Sequence, residues 1–311
     1  MTEPLHIKYR PQVLEDVIGQ DAVVTNLARL FEADRVPHTF LMTGPSGTGK
    51  TTLARILASM LGASLIEVDA ARFSGIESMR NLLNGTQYAA LGNSPKKFYI
   101  IDEAHSLSKA AFQTLLLSTE EPAEHLYWAL CTTEPDKVPN TIRTRSHAYD
   151  LKPVKWDLLS EYLEFVRTEE KLKVAKEFVD LAARKANGSV RQALVFLSLL
   201  DGITDKAEAL RLVEDAEAME EGPIVLARMI VSGRGFSWSA ARKLIEGLSD
   251  TSPESIRLTV LNYATAALVK EDGEKQAVKL MSIIQAFSTP CNSSERMAPV
   301  LIAVGSLLFG E

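Results

Sequence analysis

Gly44-Pro45-Ser46-Gly47-Thr48-Gly49-Lys50-Thr51 spells G-x-x-x-x-G-K-T directly after an apolar run and directly before a helical one, the setting of a phosphate-binding loop. Gly44, Gly47 and Gly49 let backbone N–H groups converge on phosphate oxygens. Lys50 supplies a point charge near the β/γ oxygens, and Thr51 offers a hydroxyl to a metal at a helix N-terminus. The expected ligands are ATP and Mg²⁺. Hydrolysis then needs a carboxylate in the metal shell and a group that orients the attacking water. Phe98-Tyr99-Ile100-Ile101-Asp102-Glu103-Ala104-His105 supplies both, as an apolar strand that delivers Asp102 to the metal and is followed by Glu103 for the water. His105, an imidazole near a helix start, reads as structural.

These groups need a scaffold, and the first 152 residues alternate short apolar runs with helical ones, as in a parallel sheet covered on both faces. Strands are predicted at 40–43, 65–68, 98–101, 127–131 and 148–151, which makes an α/β, doubly wound, five-stranded sheet. From Pro153 the apolar spacing becomes helical: Leu159, Tyr162, Leu163 and Val166 share one face, then Phe178, Leu181 and Ala182. Ser252-Pro253-Glu254 is a helix start, and Met297, Val300, Leu301, Val304, Leu307 and Leu308 form a stripe on a last helix. That stripe fits packing within its own domain, with a role between subunits as the alternative.

At 311 residues the chain is long enough for two or three domains. A hydrophobic content of 46% and charged content of 24% are those of a folded soluble protein. The longest apolar stretch, Met297 to Phe309, is too short to cross a bilayer, and no basic-then-apolar leader opens the chain. Two cysteines in apolar contexts read as reduced thiols, so the expected location is the cytoplasm, or the host cytoplasm for a viral chain. The net charge of −6 is spread evenly, with 15 Lys+Arg against 17 Asp+Glu in residues 1–152. Any nucleic-acid partner must therefore meet a local basic surface.

Further segments narrow the reading. Lys8-Tyr9-Arg10-Pro11, Val17-Ile18-Gly19-Gln20, Glu120-Glu121-Pro122, Leu130-Cys131-Thr132-Thr133-Glu134-Pro135, Thr141-Ile142-Arg143-Thr144-Arg145-Ser146 and Gly188-Ser189-Val190-Arg191 occur in that order. Together they resemble the AAA+ ATPase subunits of DNA polymerase clamp loaders, over roughly the first 200 residues. The resemblance implies a P-loop ATPase domain at 1–152, a small helical lid at 153–216 and an all-helical collar at 217–311. It places Tyr9, Arg10, Pro11, Val17 and Ile18 at the nucleotide, together with Gly44, Pro45, Ser46, Gly47, Thr48, Gly49, Lys50, Thr51 and Thr52. Lys50, Asp102 and Glu103 are the implied catalytic set, with Thr51 and Asp102 toward the metal. Thr133, with Thr132 as the alternative, matches sensor 1. Arg145 matches the finger that reaches a neighbouring subunit's ATP, and Arg191 matches sensor 2, which closes over nucleotide.

The departures are specific. Thr144 and Ser146 stand where the family has serine and cysteine, and the zinc module that cellular bacterial loaders insert after the loop helix is missing, which makes the chain look more like the compact phage or archaeal subunits. Leu117 occupies a position that is commonly basic. The resemblance further implies partners: other copies of the chain and a different loader subunit in a ring or spiral, a sliding clamp, and primer–template DNA, with no membrane. Ser74, Arg80, Lys109 and Lys137 are the candidate DNA contacts, Gln113 the candidate coupling residue, and residues 73–91 the clamp-facing surface. Two rivals stand beside this reading: an AAA+ branch-migration or recombination motor, which a winged-helix tail would favour, and a non-catalytic ATP-binding assembly subunit.

Overall fold

The computed structural model describes residues 3–70, 75–85, 95–120, 122–220, 222–248, 252–269, 271, 273–291 and 297–310. Five parallel strands, β1 (Thr39–Thr43), β2 (Ser64–Asp69), β3 (Lys97–Asp102), β4 (Leu126–Thr132) and β5 (His147–Asp150), form one sheet in the order β2-β3-β4-β1-β5. Every predicted strand is present within a residue or two at each end. The fifth stops at Asp150 instead of Leu151, whose N–H donates to the Thr43 carbonyl beyond the ladder.

Central β1 and β4 are buried throughout because both faces are covered, which is why their sequences are continuous apolar runs. Edge strand β2 instead alternates partly buried with exposed positions. Period-two geometry splits the core in two. Phe40, Met42 and Phe98 pack with Leu53 and Leu57 on one face, while Leu41, Tyr99 and Trp128 pack with Phe112 and Leu115 on the other.

The helices of this part are α1 (Leu5–Lys8), α2 (Asp21–Glu32), α3 (Lys50–Met60), α4 (Ile76–Asn84), α5 (Lys109–Glu120), α6 (Asn140–Arg143), α7 (Trp156–Glu169), α8 (Lys176–Lys185) and α9 (Val190–Leu199). All belong to one compact unit, residues 1–209. Register pairs Thr43 with Thr132 and Asp69 with Asp102, so the loops after the strands emerge along one edge, where open parallel sheets bind ligands. The buried Gln20 amide pairs both ways with the Lys152 backbone: Nε2 donates to its carbonyl at 2.7 Å and its N–H donates to Oε1 at 3.1 Å. That pair of hydrogen bonds fixes the chain where it leaves β5 for α7.

The second compact unit is residues 210–311. Its helices are α10, which starts within the first unit (Lys206–Glu220), α11 (Gly222–Ser232), α12 (Trp238–Glu246), α13 (Pro253–Leu268), α14 (Glu274–Ala286) and α15 (Ala298–Phe309). Ser252 caps α13 by accepting the Ser255 N–H at 3.1 Å, with Pro253 in the first turn, as the start signal predicted. The α15 stripe faces inward: Val300 and Val304 are buried, and Met297, Leu301, Leu307 and Leu308 pack against the same core. No strand follows β5 among the described residues.

Candidate active site

The loop from Gly44 to Gly49 leaves β1 and enters α3 in a conformation that glycine permits. Gly44 lies at φ +131°, where a Cβ would come within 2.2 Å of the Leu151 carbonyl oxygen. Gly47 lies at φ +72°, where a Cβ would meet Ser189 Oγ at 1.9 Å. Lys50 is buried; its Nζ donates to the carbonyls of Gly44 and Pro45, each at 2.8 Å. Burial lowers its pKa, Glu103 and Asp102 oppose that shift, and Arg191 adds to it. Thr48 ties the loop with a 2.8 Å bond from Oγ1 to the Pro45 carbonyl.

The loop faces an open cleft. Ser46, Gly47, Thr48, Gly49, Lys50, Thr51 and Thr52 line one side, and Asp102 and Glu103 line another. Tyr9, Arg10, Pro11, Val17 and Ile18 come from the N-terminal segment, and Arg191 from the start of α9. Gly44 and Pro45 contribute through their carbonyls instead of lining the cleft. Burial, Arg55 and Arg191 lower the pKa of Arg10. Arg10, Lys50 and Arg191 thus raise the positive potential of one cleft, as a triphosphate site requires.

Asp102 ends β3, and its Oδ2 accepts from Thr51 Oγ1 at 3.0 Å, so the two expected metal-shell oxygens already sit side by side. Among the described residues no group of three or more His, Cys, Asp or Glu side chains is arranged to hold a metal by itself. Two oxygen donors beside a phosphate cleft suit Mg²⁺, which keeps waters and phosphates as its other ligands. Glu103 follows with a left-handed backbone at φ 48°, an uncommon conformation for a non-glycine residue. Burial raises its pKa, His105 and Lys50 pull it back, and Asp102 and Asp69 push it further up.

His105 lies between Glu103, just after β3, and Thr132, at the end of β4. Its Nδ1 lies 3.3 Å from Glu103 Oε2 and 3.1 Å from Thr132 Oγ1, and its Nε2 lies 3.4 Å from Glu134 Oε1. Thr132 Oγ1 also accepts the Glu134 N–H at 3.0 Å. Thr133, the next residue after β4, is half-buried and does not line the cleft.

Arg145 lies away from the cleft. Its Nη2 is 2.8 Å from Glu120 Oε1, and its Nη1 donates to the Thr141 carbonyl at 2.9 Å. Lys109, Gln113 and Leu117 follow one another at i, i+4 spacing on the exposed side of α5, with Leu117 73% exposed. Lys137 pairs with Glu134 at 3.0 Å, and Arg80 is exposed on α4. Ser74 lies outside the described residues, as does much of 73–91. Reasoning from sequence missed His6, Asp16, Tyr162, Val190 and Leu194, which also line the cleft. Val190 was within reach, because it sits inside the Gly188–Arg191 motif.

A parallel sheet with a G-K-T loop after β1 and an acidic pair at the end of β3 defines a P-loop nucleoside triphosphatase. The model of the ATPase family associated with various cellular activities (AAA) matches residues 40–152, and that of the Rad17 P-loop domain matches residues 2–74. Residues 40–152 thus carry an AAA ATPase domain. DNA polymerase III subunit tau of Escherichia coli strain K12 is 34% identical over 302 residues, 84% of this chain and 46% of that protein. DNA polymerase III subunit gamma of Buchnera aphidicola subsp. Acyrthosiphon pisum is 32% identical over 214 residues, 61% of this chain and 59% of that protein. The chain spans about half the length of the curated relatives it matches. Among solved structures, the Thermotoga maritima RuvB Holliday junction branch migration motor superposes with a TM-score of 0.57 at 21% identity, covering 75% of this chain and 84% of that one. That likeness is one of fold. No helix among the described residues is long and apolar enough to cross a membrane.

Proposed function

We propose that this chain is the ATP-hydrolysing subunit of a sliding-clamp loader, acting in the cytoplasm beside other copies of itself, a different loader subunit, a clamp and primer–template DNA. The relatives' names support the clamp-loader class. The observation that carries the mechanism is the division of cationic groups: Arg10, Lys50 and Arg191 share the cleft, while Arg145 is held outside it by Glu120. An arginine that does not reach its own nucleotide is free to serve a neighbour's.

In this reading the loop N–H groups and Lys50 bind the β and γ phosphates, and Arg191 closes over them from α9. Thr51 and Asp102 would hold Mg²⁺, which supplies charge neutralisation on the phosphate oxygens when bound. Glu103 orients the attacking water, and Thr133 or Thr132 senses the γ-phosphate. Arg145 stabilises the charge that spreads over the transferring phosphoryl group in the adjoining subunit. Residues 1–152 form the ATPase domain, 153–216 the lid and 217–311 the collar that joins subunits. Arg80, Lys109 and Lys137, with Ser74, position the duplex by phosphate contact, and Gln113 couples that contact to the ATP site.

The deciding experiment measures ATP turnover with primer–template DNA, a clamp ring, both or neither. Synergy between the two supports the loader, and its absence refutes it. The branch-migration alternative calls for a winged-helix tail, and the described part of residues 210–311 is helical.

A further inference from the structure

Glu103 sits in a backbone conformation that a glutamate adopts at a cost, and its carboxylate is only partly enclosed, so something beyond its own main chain must fix where it points. Its backbone N–H is already committed to Asp102 Oδ1 at 3.1 Å. The side chain that meets it is His105, which is itself mostly buried. The imidazole does not stop at Glu103. One nitrogen faces both Glu103 Oε2 and Thr132 Oγ1, and the other faces Glu134 Oε1 across the ring. Thr132 is fully buried and ends β4, the strand between the phosphate-loop strand and the acidic strand. His105 does not line the nucleotide cleft.

We propose that His105 is a positioning residue for hydrolysis: its Nδ1 holds the Glu103 carboxylate in the place from which it orients water and ties that carboxylate to the end of β4 through Thr132. The inference rests on Glu103 being the water-orienting group of the proposed ATPase. The two ring nitrogens carry separable roles. Nδ1 sets Glu103 and Thr132, whereas Nε2 anchors the ring to the more exposed Glu134. A threonine at the strand end that shifts toward the γ-phosphate would move the imidazole, and with it the glutamate.

Amide side chains separate the two nitrogens, because asparagine places an N–H near the Nδ1 position and glutamine places one near Nε2. His105→Ala and His105→Gln should lower kcat for ATP roughly ten- to a hundredfold, the scale on which a misplaced reacting group acts, with the KM and binding affinity for ATP unchanged. His105→Asn should recover most of the lost kcat. Equal rates for the asparagine and glutamine variants, an unchanged kcat in His105→Ala, or a loss confined to KM would each overturn the proposal. Glu103→Gln, run in parallel, separates it from its premise: if that variant keeps full hydrolysis the reading of the site fails, and if it is inactive while His105→Ala is not, only the positioning role fails. A readout independent of turnover is the imidazole ¹⁵N resonance of His105 in the full chain. It should move at Nδ1 in Glu103→Gln, and an unmoved resonance refutes the contact.

Discussion

The Val190 N–H donates to the Gly47 carbonyl at 3.1 Å, so α9 begins on the phosphate-binding loop itself. Ser189 caps that helix by accepting the Gln192 N–H at 3.2 Å, and its Oγ occupies the space that a Cβ on Gly47 would need. The loop and Arg191 are therefore set by one local packing arrangement. Gly47→Ala meets both a left-handed backbone, worth about 1 kcal/mol against a non-glycine residue, and the Ser189 hydroxyl. Titration with a fluorescent ATP analogue should show affinity lowered about tenfold or more, with the circular dichroism of the fold retained. Wild-type affinity in this variant would mean that α9 does not act on the loop.

Lys50→Ala removes a buried ammonium whose protonation burial disfavours, so the nucleotide-free protein loses little by the change. Its two bonds run to loop carbonyls, groups that water reaches once the side chain is gone. Nucleotide binding should vanish in calorimetry, while the melting temperature without ATP stays within a few degrees of wild type. The stabilisation that ATP gives the wild type should be absent from the variant.

Arg145→Ala breaks an exposed pair with Glu120, a contact worth less than about 1 kcal/mol, so stability should hardly change. Assembled turnover should fall at least about a hundredfold if the guanidinium completes a neighbour's site. Mixing Arg145→Ala chains with Glu103→Gln chains should restore part of the activity, since some interfaces then pair a sound cleft with a sound finger. No recovery at any mixing ratio would place the arginine's effect within its own chain.

The alkaline limit of the fold follows from its tyrosines. Burial raises the pKa of Tyr99, Tyr127 and Tyr149, and carries Tyr162 up to about 12. Each folded-state value exceeds the unfolded value near 10, so the folded chain binds more protons in that range. The stability these groups contribute is complete below pH 10 and is lost as pH rises toward 12. Urea midpoints at pH 8, 9.5 and 11, read beside tyrosinate absorbance, should fall only at the last. A midpoint that rises there refutes the assignment.

The sheet was legible because β1, β3 and β4 are unbroken apolar runs, a pattern dictated by burial on both faces. The loop and the Asp102–Glu103 pair were legible because their chemistry is local in sequence. The contacts of His105 were not legible for the opposite reason: its partners Thr132 and Glu134 lie on the next strand's exit, 27 and 29 positions away, and nothing in the local pattern reports that register. Arg145 and Glu120 each belong to a segment that carries the resemblance, yet only the fold brings the two side chains together. Gln20 shows the same limit, since its bonds to Lys152 make a family mark into a structural clasp.

In the second unit, Glu254 stands in the first turn of α13 and also grips a buried guanidinium. Arg257 Nε and Nη2 donate to the two Glu254 oxygens at 2.7 and 2.6 Å, Nη1 donates to the Phe287 carbonyl at 2.9 Å, and the Cys291 N–H donates to Glu254 at 2.8 Å. Arg257 is 7% exposed, whereas the Glu254 side chain is 38% exposed. Removing the carboxylate strands the buried charge, and removing the arginine strands a carboxylate that water still reaches. Glu254→Ala should therefore cost more than Arg257→Ala, about 3 against about 2 kcal/mol in chemical denaturation. The hydrogen bond from Arg257 holds the Glu254 carboxyl below its usual pKa. Its contribution is thus present above the unfolded value near 4.5 and lost as pH falls through the lower folded one. The gap between wild type and Glu254→Ala should accordingly narrow in acid below pH 4.5, and a gap that widens there, or a reversed order of the two variants, would show that the pair does not hold this unit together.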